Sequence, residues 1–93
     1  MKVTIDGKRY NTDKCEVLGE IEHNTIDGKY GTTRLIRASD GKLLIWFDSN
    51  RQGIYPRSYV SELDGFLHRI DDFTLTDEQE ARCASLGLIK IVD

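Results

Sequence analysis

Residues Tyr30 to Asp48 read YGTTRLIRASDGKLLIWFD, and this stretch decides the fold. Two runs of strand character flank Ser39-Asp40-Gly41. Asp-Gly is a strong hairpin-turn signal, because both residues tolerate positive φ at little cost. The second run holds five consecutive apolar residues, Leu43 to Phe47, and includes the only tryptophan, Trp46. An unbroken apolar run of strand length indicates a strand covered on both faces. The hairpin is therefore expected at the centre of a sheet, with Trp46 in the core.

Working towards the N-terminus, Asp-Gly recurs at Asp27-Gly28 and Asp6-Gly7, and TIDGK appears twice, at Thr4–Lys8 and Thr25–Lys29. The flanking residues differ, so this is reused turn chemistry rather than an internal repeat. Lys2 to Ile5 and Lys8 to Tyr10 read as a short first hairpin, which Asn11-Thr12-Asp13 ends. From Glu16 to His23 the chain alternates. Val17, Gly19, Ile21 and His23 fall on one face and Glu16, Glu20 and Glu22 on the other, with Leu18 the exception. The pattern indicates one face in the core and one in water. His23, on the inner face, is expected partly buried and satisfied by a backbone group. Asn24 to Lys29 reads as a loop or wide turn.

On the C-terminal side, Ser49 to Gly53 is a polar loop. Arg57 to Ile70 has two readings. Val60, Leu63, Leu67 and Ile70 are spaced as on a helix, which is the favoured reading, ending or bending near Gly65. Asp64-Gly65 opening a strand, Phe66 to Ile70, is the other. Thr76 is an N-cap, followed by Asp77, Glu78 and Glu80 at the positive end of the helix dipole. That helix is expected over Asp77 to Leu86, with Gly87 at the C′ position. Leu88 to Val92 reads as a terminal strand. The fold expected is α+β: one domain over residues 1–93, with an antiparallel sheet of four to six strands and one or two helices on one face.

A chain of 93 residues supports one small core. Apolar residues make up 39% and charged residues 31%, which excludes a disordered chain. MKVTIDGK has no apolar core of signal-peptide length, and no run approaches the roughly 20 residues of a membrane span. The expected location is the cytoplasm, that of the host if the gene belongs to a phage. Cys15 and Cys83 are expected as reduced, buried thiols.

Chemistry-bearing motifs are sparse. The sequence has no phosphate-binding glycine loop, CxxC or HExxH. Cys15, His23, His68 and Cys83 are scattered without metal-ligand spacing. No cofactor, metal or catalytic residue is expected, and the chain is read as a non-enzyme. Arg34 and Arg37, with Tyr30 and Trp46 nearby, offer an alternative: an OB-like accessory protein that binds single-stranded nucleic acid along the central hairpin.

Charge is unevenly spread. Residues 1–57 carry ten Lys/Arg and eight Asp/Glu, whereas residues 58–93 carry three and eight, so a net of +2 is followed by a net of −5. From Glu62 to Glu80 there are seven acids and one base, Arg69. Such a segment disfavours broad phosphate-backbone contact and suits a basic protein surface. Glu62, Asp64, Asp71 and Asp72 are the expected partner-binding residues.

Three stretches carry a family resemblance. Tyr10-Asn11-Thr12-Asp13-Lys14-Cys15-Glu16-Val17-Leu18-Gly19-Glu20 resembles the opening motif of small proteins from bacterial and phage mobile elements, roughly Y-D-T-E-T-A-x-x-L-G-E. It departs at Lys14 and Cys15, where that motif has Thr and Ala. Leu35-Ile36-Arg37-Ala38, Gly41 and Leu44 to Phe47 resemble their second motif. Leu75-Thr76-Asp77-Glu78-Gln79-Glu80-Ala81 resembles their closing helix start. The resemblance implies mobile-element context, rich in inhibitors of host defence such as anti-CRISPR proteins. The function expected is a small inhibitor that docks an acidic surface on a basic surface of a host defence complex, such as a CRISPR effector.

Overall fold

Gly41 takes φ of 91°, and Ala38 accepts the Gly41 N–H at 2.9 Å, so the chain reverses where Asp40-Gly41 requires it. The computed structural model describes residues 1–25, 28–49, 58–63 and 70–92; the side chains of residues 25, 29 and 30 fall outside this description. Among the described residues six strands run in chain order: β1 (Lys2–Ile5), β2 (Lys8–Asn11), β3 (Glu16–Thr25), β4 (Gly28–Arg37), β5 (Leu43–Ser49) and β6 (Tyr59–Glu62). A single α-helix among the described residues, α1, spans Asp77–Ser85. Short 3-10 turns occupy Thr12–Lys14 and Ile70–Asp72. β3, β4, β5 and β6 form one antiparallel sheet in that order, and β1 and β2 form a separate hairpin. The fold is thus a small α+β fold.

The central pair is covered on both faces, as its apolar run requires. Leu35 and Ile45 are cross-strand partners and join Leu18, Phe73 and Cys83 in one buried cluster, against which Leu75 and Leu86 pack. Their neighbours Ile36 and Leu44 also pair, and point to the opposite face. There they meet Tyr10 and Ala38, with Val3 and Ile5 of the first hairpin packed alongside. The helix side and the hairpin side therefore sandwich one sheet. The β1–β2 turn carries positive φ at both Asp6 (51°) and Gly7 (78°), the geometry that makes Asp-Gly the preferred two-residue hairpin turn.

Four expectations need correction. Trp46 is half-buried rather than central; it flanks the hairpin-side cluster. Val17 does not share a face with Gly19. The register slips between them, so that Val17 opposes Ile36 and Gly19 opposes Leu35. Leu18 is the extra residue of this bulge, and it is fully buried on the helix side. Tyr59–Glu62 is a strand, not a helix, because Val60 pairs with Trp46 and Ser61 with Ile45. Residues 64–69, including Asp64-Gly65 and Leu67, lie outside the described residues. Leu88 to Val92 is not a strand; Leu88 and Ile89 instead pack on the helix-side cluster.

The helix begins as its sequence dictates. Thr76 Oγ1 accepts the Gln79 N–H at 3.1 Å, and Gln79 Oε1 accepts the Thr76 N–H at 3.0 Å. This reciprocal box satisfies two otherwise orphaned donors. Thr76→Ala is expected to cost about 1 kcal/mol in a urea melt. Gly87 terminates the helix at φ of 77° with nothing within 4 Å of an added Cβ, so Gly87→Ala should also destabilise, through backbone strain alone.

Candidate functional site

The last third of the chain is tied to the sheet by backbone. Glu20 on β3 donates its N–H to Thr74 O at 3.2 Å, and Thr74 donates to Glu20 O at 2.9 Å. This antiparallel bridge lays the segment before α1 along the outer edge of β3, an end strand of the sheet. Three elements of this region carry acids. Glu20 and Glu22 come from β3, Asp71 and Asp72 from the 3-10 turn, and Asp77 and Glu78 from the first turn of α1. All but the half-buried Glu20 are exposed. A groove of about 490 Å³ between β3 and the start of α1 is lined by Glu20, Glu22, Thr74, Thr76 and Gln79, with Ile21 beside them. Asp71 and Glu80 line a second hollow of about 480 Å³, which Lys90 also lines. Arg82, the one base on α1, is already engaged: its Nε donates to Glu16 Oε2 at 2.8 Å.

The described acids of the four expected at the site stand on different elements. Asp71 and Asp72 stand together, exposed. Glu62 opposes Leu44 on β5 and accepts from Lys42 Nζ at 2.7 Å. The Glu62 carboxylate holds the Lys42 ammonium pKa above its ordinary value. Lys42 Nζ also lies 3.6 Å from Asp6, so Glu62 belongs to a staple between β6 and the first hairpin. Asp64 lies outside the described residues. The Glu20–Thr74 bridge ties β3 to the segment before α1, a contact that alternation in β3 did not reveal.

Arg34, the expected nucleic-acid contact, is occupied. Its Nη1 donates to Asp48 Oδ2 at 2.9 Å and its Nε lies 3.7 Å from Glu20 Oε1. Its guanidinium covers the Trp46 ring at 4.7 Å from the centroid. A phosphate would have to displace two carboxylates to reach it. Arg34→Ala is expected to cost about 1 kcal/mol and to shift the emission of the sole tryptophan to the red. Unmoved emission would contradict the stacked geometry.

Other chemistry-bearing side chains among the described residues make contacts within the fold. His23 Nε2 shares a hydrogen bond with Thr33 Oγ1 at 2.7 Å, and its ring lies 5.8 Å from that of Phe47. Cys15 and Cys83 are free thiols, and burial pushes both pKa values up. Among the described residues no group of three or more His, Cys, Asp or Glu is gathered as a metal site. Nor, among them, is any helix long and apolar enough to cross a membrane. Compared with protein-family models, curated proteins and solved structures, the chain matches none.

Proposed function

We propose that this protein is a small non-enzymatic inhibitor, encoded by a phage or mobile element, that binds a host defence protein through its acidic margin. The observation that carries the reading is the stretch of exposed acids, Asp71, Asp72, Asp77, Glu78 and Glu80, in the last third of the chain. Clustered carboxylates attract a Lys/Arg-rich surface at long range and orient it on approach. The basic surface expected is one that otherwise tracks a nucleic-acid backbone, as in a CRISPR effector subunit. The partner meets the protein in the host cytoplasm. Asp71 and Asp72 are the leading contacts, because neither has a capping duty in α1. The mobile-element resemblance of the Tyr10–Glu20 and Leu75–Ala81 stretches supports the same context.

The test is protection. A phage carrying the gene is plated on a host whose CRISPR system targets it, beside the same phage without the gene. The reading expects plaques only when the gene is present, and direct binding of the purified protein to the effector that weakens with salt. Equal plating with and without the gene across effector types would remove the inhibitor reading.

A further inference from the structure

We infer that the groove between β2 and the β4–β5 turn is a binding site for a phosphate-class oxyanion, with Arg9 and Lys14 as its cationic contacts. The groove has a volume of about 330 Å³ and is lined by Arg9, Asn11, Lys14, Cys15 and Ser39, together with Tyr10 and Ala38. No carboxylate stands among these described lining residues. By contrast, Glu20 and Glu22 line the margin groove, and Asp71 and Glu80 line the hollow near it. Its volume falls at the lower end for small-molecule sites.

Arg9, Asn11, Lys14 and Ser39 bring donors to the groove. Arg9 Nη1 donates to Thr4 Oγ1 at 3.0 Å, which anchors the guanidinium and leaves Nε and Nη2 as a fork. Lys14 adds a second charge, and the Ser39 hydroxyl a neutral donor. Asn11 Oδ1 accepts the Asp13 N–H at 3.1 Å, so its amide NH2 is the end left to donate. The nearest carboxylate on the turn is already used. Asp40 accepts Tyr10 Oη–H at 2.8 Å and the Lys42 N–H at 3.0 Å, and lies 3.5 Å from Lys8 Nζ. Burial, followed by the charge of Asp40, pushes the Cys15 thiol pKa up. Residues 1–15 hold four Lys/Arg against two acids, in a chain whose net charge is −3.

The oxyanion comes either from a free phosphate compound or from the backbone of a nucleic-acid strand. The experiment is an NMR titration of ¹⁵N-labelled protein at low ionic strength, first with inorganic phosphate and then with an eight-nucleotide oligothymidylate. Saturable shifts are expected at Asn11, Lys14, Cys15 and Ser39. Arg9→Gln combined with Lys14→Gln should weaken binding at least tenfold while the rest of the amide spectrum stays in place. Lys2→Gln, outside the groove, should leave affinity unchanged. Oligothymidylate binding at least tenfold tighter than phosphate, with a log–log salt slope that the double variant reduces by about 1.4, identifies a strand as the source. Oligothymidylate binding no tighter than phosphate identifies a free phosphate compound. Shifts that never saturate, or equal binding by the double variant, would overturn the site.

Discussion

Leu35→Ala is expected to destabilise the protein by about 2–5 kcal/mol, the range for removing a buried leucine side chain without full collapse of the cavity. Leu35 is fully buried on the central strand, opposite Gly19 on one side and Ile45 on the other. The site has little freedom to relax. Gly19 is itself crowded by Leu75 Cδ2, which would lie 2.6 Å from an added Cβ. A small domain loses roughly 4–8 °C of Tm per kcal/mol, so the melt should fall by more than 8 °C. Ile36→Ala, on the other face, should cost a similar amount, because the hairpin closes over it. A small change at Ile36 alone would mean that β1 and β2 pack loosely on the sheet.

That pair of substitutions probes what the sequence made most legible. The five-residue apolar run from Leu43 to Phe47 required cover on both faces, and the hairpin and the helix supply it. Turn chemistry was equally direct, since Asp6-Gly7 and Asp40-Gly41 lie where the strands reverse. The helix start could be read from Thr76 and the acids after it. These signals are local: each rests on a few adjacent residues whose backbone preferences agree.

What was hidden is non-local. The bulge at Leu18 shifts the strand by one residue, and a period of two then assigns Val17 to the wrong face. Val60 and Leu63 suit a helix by spacing, but Val60 packs on the hairpin side and Leu63 on the helix side. Pairing with β5 decided the matter over that spacing. Trp46 lies within an apolar run, but Arg34, itself held by Asp48, supplies much of its cover. The acidic margin was only half visible. The pair Asp71-Asp72 stands out in the sequence, but the Glu20–Thr74 bridge that ties the following segment to β3 does not. Conversely, the sequence sets Glu62 among the acids of the segment, and the fold pairs it with Lys42.

The most direct measurement of the central claim is charge reversal at the margin. Asp71→Lys with Asp72→Lys changes the local charge by four units on exposed side chains outside both buried clusters. The double variant should still melt cooperatively, since both positions lie outside the buried core. Its effect on binding should be large. Like charges placed against a basic partner cost several kcal/mol, and a loss of about 4 kcal/mol is roughly a thousandfold in affinity. The affinity of the purified double variant for the effector that binds the wild-type protein is therefore the quantity to measure. The account predicts a native melt with binding abolished. A native melt with undiminished affinity would contradict it and would move the working surface away from the β3 margin.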